Sequence, residues 1–190
     1  MYAYAKALIA CAFLVLIHPG CSSGNATKDT SPPLSPIPSA LDRAVVRDRV
    51  FITPQPNEAE IRSLPEKGIT CVFNVRSPEE MSDKTQVPFA EDSVVIRAGM
   101  HYAQVPISGE KYPYVPETLE AFAKVMQADT GKILLHCKSG GRTAWLYAAY
   151  ELKYLGKSPQ EIMKWLERYG FWPLPIEKLT GIPLEIRKLQ

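Results

Sequence analysis

The residues best suited to chemistry lie within one stretch, His136-Cys-Lys-Ser-Gly-Gly-Arg-Thr143. Cys137 follows an apolar run, and a Gly-rich loop and Arg142 follow it. Consecutive loop N–H groups from Lys138, Ser139, Gly140 and Gly141 can converge on an anion, and a helix starting at the end of the loop adds the positive end of its dipole. Arg142 brings a planar fork suited to two-point binding of an oxyanion. The same field favours thiolate over thiol at Cys137, which makes that residue the candidate nucleophile. A cation at a helix start opposes the helix dipole unless an anion is bound, so Arg142 reads as functional. Lys138 either strengthens the positive field or is simply solvated.

The elements around this stretch follow from periodicity and caps. Ile133 to His136 reads as a short buried strand, and Thr143 to Leu155 as an amphipathic helix. Upstream, 50–52 is a short strand. Asn57 and Glu60 form a capping box for a helix that runs to about Glu66, where Lys67-Gly68 ends it. A buried strand is predicted over 69–75, and Arg76-Ser-Pro-Glu-Glu80 opens a loop or short helix. A helix over 90–100 and a strand over 101–107 come next. Pro116 starts a helix with Leu119, Phe122, Ala123 and Met126 on one face, and Ser158 and Glu161 cap another. A short helix at 184–189 ends a Pro-rich tail. Strands alternating with helices imply an α/β fold, a mainly parallel sheet flanked by helices, with working residues at the carboxyl ends of strands.

The chain has 190 residues and a net charge of +2, enough for one domain with a real core. Basic residues are interleaved with acids and form no stripe, so nucleic acid is excluded as a partner. The four cysteines, Cys11, Cys21, Cys71 and Cys137, have neither disulfide-framework nor zinc spacing. Lys6 followed by the apolar run 7–17 has the length of an export signal and is too short to span a bilayer. Residues 1–20 are therefore expected to be a signal peptide and 21–42 a flexible Ser/Pro-rich linker, leaving 43–190 as the domain. Gly20-Cys21 resembles a bacterial lipoprotein processing site, with His18 standing where leucine is usual. Export, with membrane attachment through a lipidated Cys21, is the expectation.

His136-Cys-Lys-Ser-Gly-Gly-Arg-Thr143 resembles the signature loop of the cysteine-dependent phosphatases, the protein-tyrosine and dual-specificity superfamily. Val72-Phe-Asn-Val-Arg76 is similar to that superfamily's central strand, and Ala98 to Ile107 to its strand ending in proline and an apolar residue. The resemblance covers about 48–170 and is closest to small bacterial phosphatase-like domains, including those fused to beta-lactamase-like hydrolases. It implies a Cys137 nucleophile that forms a phosphocysteine, an Arg142 clamp on the phosphoryl oxygens, a Thr143 hydroxyl serving the sulfur and a His136 that orients the loop and tunes the thiol. Two departures stand out. Only four residues separate Cys137 from Arg142, where five are usual; loops of this shorter form, and the Arg76-Ser-Pro-Glu-Glu80 segment, also resemble rhodanese-like sulfurtransferases. No Asp lies between Ile107 and Pro116 to act as general acid, which leaves Glu110 as the candidate.

A phosphomonoester hydrolase is thus the leading expectation. A sulfurtransferase and a non-catalytic phosphate-binding module are the alternatives. The substrate side comprises Lys138, Ser139, Gly140 and Gly141, together with Arg76, which ends its strand on the same edge and is expected either to assist binding or to pair with Glu79 or Glu80. Tyr112 and Tyr114 either wall the cleft or anchor their loop, and the faces carrying Trp145, Trp165 and Tyr169 belong to the core. A Cys71–Cys137 disulfide is conceivable if their strands are neighbours. The expected partner is a phosphorylated substrate, no cofactor is needed for thiolate chemistry, and the chain is expected to be a monomer.

Overall fold

A computed structural model describes residues 39–170 and 172–184. The signal peptide, most of the linker, Cys11, Cys21 and the 184–189 helix lie wholly or largely outside them. The strands are β1 (Val45–Arg47), β2 (Val50–Thr53), β3 (Ile69–Asn74), β4 (His101–Gln104) and β5 (Lys132–His136). They form one sheet in the order β1-β2-β5-β3-β4, parallel throughout except for the antiparallel β1 edge. Each link between successive parallel strands, β2 to β3, β3 to β4 and β4 to β5, contains a helix, as parallel pairing requires. The helices are α1 (Glu58–Ser63), α2 (Pro78–Ser82), α3 (Glu91–Arg97), α4 (Pro116–Ala128), α5 (Gly141–Tyr154), α6 (Pro159–Leu166) and α7 (Pro173–Thr180).

Each face of the sheet has its own core. Ile52, Phe73, Ile133 and Leu135 pack against Phe122 of α4, Leu146 of α5 and Ile176 of α7. On the opposite face Val72 and Leu134 meet Ile61 of α1 and Val94 and Val95 of α3. Alternation along β5 thus sends Leu134 one way and Leu135 the other, which is why this central strand reads as an uninterrupted apolar run. Phe122 is the pivot of the larger core, edge-on to Phe73 at 5.2 Å and to Tyr150 at 5.3 Å.

Both expected capping boxes close, at Asn57–Glu60 and Ser158–Glu161, and a further one forms at Ser77–Glu80. This last box starts the short helix α2 after Arg76, one of the two readings open there. Strand β4 is shorter than predicted and ends at Gln104, because Pro106 lacks the N–H a ladder needs. The chain nevertheless stays against β3, with Val105 N–H donating to Asn74 and Ile107 N–H to Val75. Two elements escaped sequence reading. Strand β1 is three residues of half-exposed edge, and α7 lies in the Pro-rich tail, its prolines confined to the first turn where no N–H is missed.

The strands of Cys71 and Cys137 are neighbours, but register rules out a disulfide between them. Cys71 pairs across from Ile133. Cys137 lies four residues further along, about 13 Å at strand rise, beyond the ~7 Å Cα separation a disulfide tolerates. Both thiols are free, and burial pushes that of Cys71 up to about 12.

Candidate active site

Strand β5 delivers His136 and Cys137 to the carboxyl edge of the sheet, between β2 and β3. The chain then turns through Lys138 and Ser139, both exposed, into the buried Gly140. Gly140 caps α5 with φ +92°, a conformation closed to most side chains. Its N–H donates to Cys137 Sγ at 3.0 Å, so the loop wraps back onto the sulfur. The Thr143 hydroxyl lies 3.9 Å from Sγ and 2.8 Å from the Gly140 carbonyl, the shorter contact holding its hydrogen. The start of α5 carries no acidic residue, so its dipole acts on the loop unopposed.

A Cβ on Gly140 would stand 3.2 Å from the Tyr169 ring and 3.5 Å from the Thr53 carbonyl. One on Gly141 would meet nothing nearer than Ser139 Oγ at 4.0 Å. Gly140→Ala is therefore expected to destabilise the fold by about 1–3 kcal/mol in urea denaturation, from strain and crowding together. Gly141→Ala, at an ordinary helical position, is expected to change stability by less than about 1 kcal/mol.

Arg142 is held from two sides. Its Nη1 and Nη2 donate to the two carboxylate oxygens of Glu80, each at 2.8 Å, and Nη1 also donates to the Ile107 carbonyl at 2.6 Å. A guanidinium has five N–H donors, and these bonds occupy three. The two that remain, on Nε and the outer side of Nη2, form a single bidentate edge. Burial opposes the Arg142 charge, but Glu80 and the nearby Cys137 sulfur outweigh it and raise the pKa. Glu80 also accepts from Ser77 N–H at 3.0 Å, so the capping box that builds α2 fixes the carboxylate that aims Arg142.

Sequence reading placed Arg76 among the substrate-binding residues. The structure instead buries it to 1% exposure. Its guanidinium donates to Gln55 Oε1 at 2.7 Å and contacts the Glu80 carbonyl and Gln86, and its Nε lies 3.5 Å from Glu80 Oε1. It pairs with Glu80, the other role anticipated for it, and underpins the site from within.

His136 is fully buried with Nε2 3.0 Å from Glu91 Oε1. The same carboxylate receives Asn74 Nδ2 at 3.0 Å, Tyr102 Oη at 3.2 Å and Gln55 Nε2 at 2.5 Å. Burial pushes the Glu91 carboxyl up, and its contacts with His136, Gln55 and Tyr102 more than reverse that, leaving it below the usual range. Gln55 and Glu91 were not singled out from sequence, and Glu80 only as a partner for Arg76. The Ser77–Glu80 spacing could have drawn attention to Glu80, whereas nothing local marks Gln55 or Glu91.

Glu110 lies exposed in the turn closed by Ser108 and Tyr112. This turn begins beside Ile107, whose carbonyl contacts Arg142, so the candidate acid is on a loop rooted at the cradle rim. Lys111 and Tyr112 both bond Glu79 of α2. Tyr112 thus anchors its loop. Tyr114 and Tyr169 instead stand close enough to Cys137 for its charge to help raise their pKa, although burial is the main cause; Tyr114 reaches about 12. Trp145 stacks edge-on with Tyr114 at 6.2 Å and with Trp172 at 5.6 Å. Among the described residues no group of three or more His, Cys, Asp or Glu side chains could hold a metal ion.

The fold has counterparts among known proteins. Residues 42–152 match the model of the phosphatase-like domain of beta-lactamase hydrolase-like protein. Proteins so described from Xylella fastidiosa (strain Temecula1) and Agrobacterium fabrum are 31% identical over 107 residues and 33% identical over 110 residues. Each match covers 56% of this chain and 24% of the relative, so the matched region is about a quarter of those proteins. Among solved structures, Tk-PTP in its active form superposes with a TM-score of 0.58 at 19% identity, over 73% of this chain and 95% of that one. The core catalytic domain of the PP-IP phosphatase SIW14 from S. cerevisiae gives 0.56 at 20% identity, over 76% and 86%. Sheet order, signature loop and these matches converge, and the chain belongs to the family of phosphatase-like domains of beta-lactamase hydrolase-like proteins.

Proposed function

We propose that the chain is a cysteine-dependent phosphomonoester hydrolase of the tyrosine and dual-specificity type. The observation that carries this reading is the donor arithmetic at Arg142: Glu80 and Ile107 occupy three N–H groups and leave one bidentate edge beside the Cys137 sulfur. Phosphoryl transfer asks the protein mainly for positioning and fixed positive dipoles, which the loop N–H groups, the α5 terminus and this edge supply. Cys137 Sγ attacks phosphorus in line, and the S–P bond forms as the ester P–O bond breaks. The leaving oxygen takes a proton, with Glu110 the candidate donor. Water then attacks the phosphocysteine, the S–P bond breaks, and phosphate leaves with the thiolate restored. Lys138, Ser139, Gly140 and Gly141 line the cradle that receives the phosphoryl oxygens. Export and anchoring through Cys21 belong to the same proposal and rest on residues 6–21 of the sequence.

The test is a parallel assay on the purified full chain. Phosphate release from an aryl phosphate, inhibited by vanadate, is expected. Thiocyanate formation from thiosulfate and cyanide without phosphate release would replace this reading with sulfur transfer.

A further inference from the structure

Beneath the cradle, on the α1/α3 face of the sheet, lies a polar cluster whose hydrogens can be counted. Asn74 Oδ1 accepts the Arg76 backbone N–H at 2.7 Å, and Gln55 Oε1 accepts Arg76 Nη1 at 2.7 Å. Arg76 therefore fixes both amides the same way round, with each NH2 facing Glu91. Neither can flip without placing a donor against a donor. Glu91 is consequently surrounded by obligate donors and acts only as acceptor, so the hydrogen between it and His136 belongs to Nε2.

That leaves the other ring nitrogen. His136 Nδ1 is buried and has no hydrogen-bond partner among the described residues, and the same is true of Thr53 Oγ1. The two residues are register partners on adjacent parallel strands. Their side chains leave the same face of the sheet. Phe51, two before Thr53, and Leu134, two before His136, both pack into the α1/α3 core. Neighbouring strands lie about 4.8 Å apart, so rotation of Thr53 about Cα–Cβ brings its hydroxyl to the imidazole. Two orphaned polar atoms side by side in a dry core each cost free energy, and one bond would satisfy both.

We propose that Thr53 and Glu91 are the positioning residues of His136, Thr53 Oγ–H donating to a bare Nδ1 and His136 Nε2–H donating to Glu91. The direction follows from counting. If Nδ1 carried a hydrogen and Thr53 accepted it, the Thr53 hydroxyl hydrogen would keep no partner, as now; with Thr53 donating, the Thr53 and His136 hydrogens are both placed. His136 is then a ring held at both edges, and it acts on Cys137 only through the backbone they share. Thr53 also sits in the segment that braces the loop: its carbonyl faces Gly140, and Gln55 N–H donates to the Lys138 carbonyl at 3.2 Å.

The role assigned to His136 rests on the hydrolase reading, but the ring state can be measured without activity. On the full chain with 15N-labelled histidine, long-range 1H–15N correlation is expected to show His136 at neutral pH as the Nε2–H tautomer with a hydrogen-bonded Nδ1. Thr53→Val should move the Nδ1 resonance to that of an unbonded nitrogen, and Thr53→Ser should restore it. In phosphate-release assays Thr53→Val is expected to lower kcat about three- to tenfold, the scale of one buried hydrogen bond, with KM within about twofold and Thr53→Ser near wild type. An imidazolium, an Nδ1–H tautomer, or an Nδ1 resonance indifferent to Thr53→Val would overturn the inference. A wild-type chain without phosphatase activity would sink the hydrolase reading instead, and the spectra would still decide the ring state.

Discussion

Cys137→Ser is expected to abolish phosphate release, by at least about 10⁴-fold, the scale on which loss of a nucleophile costs an enzyme. A serine hydroxyl in this cradle has no base to take its proton: His136 is engaged with Glu91, and the Thr143 hydrogen lies on the Gly140 carbonyl. A thiol gives up its proton far more readily than a hydroxyl, so sulfur chemistry does not depend on such a base. The fold should tolerate the change. Serine is close to isosteric, and its oxygen can accept the Gly140 N–H that now meets the sulfur. Stability should stay within about 1 kcal/mol. Oxyanion binding resides in the loop N–H groups and Arg142, so inorganic phosphate should still raise the Tm of the variant. Measured together, turnover and thermal shift separate loss of the nucleophile from loss of the site. Residual hydrolysis above a few per cent would remove Cys137 from the mechanism.

Arg142→Lys is expected to lower kcat/KM about 10²–10³-fold, the usual cost of deleting a preorganised oxyanion donor. Lysine keeps the charge but offers a point where the site was built around a plane. It cannot satisfy both oxygens of Glu80 and the Ile107 carbonyl while presenting two parallel N–H groups to a phosphoryl group. Glu80→Gln should cost less, about tenfold, because the Arg142 charge survives and only its orientation loosens. The double variant should be no worse than Arg142→Lys alone, since residues acting as a unit are not additive. Additive losses in steady-state kinetics would mean that Glu80 serves the reaction by some other route.

Much of this was legible in the residues. The apolar runs at 71–73 and 133–135 read as strands buried on both faces, and the Asn57–Glu60 and Ser158–Glu161 boxes announce two helix starts. Cys137 and Arg142 stood out because a glycine loop between strand and helix has few uses other than holding an anion. Arg76 was left open between two roles for a physical reason, and it takes the pairing with Glu80. Its position at a strand end on the working edge is visible in sequence, but whether such a side chain turns toward substrate or under the sheet depends on partners distant in the chain. Here Gln55 and Gln86 draw it inward. Helix α7 was missed because proline in a first turn and proline in a loop look alike without the packing of Ile176 and Leu179.

Local pattern thus determined the α/β alternation, the loop and the two residues at its ends, because each depends on spacing of a few residues and on backbone preference. What only the tertiary structure decided is the state in which those residues are held. Glu80 aims Arg142 across 62 positions of chain, and Glu91 fixes His136 across 45. Carboxylates that far away in sequence carry no mark of the partner they will meet. Burial then gives the pairing its force, since a charge or ring nitrogen removed from water must be satisfied by whatever the fold places beside it.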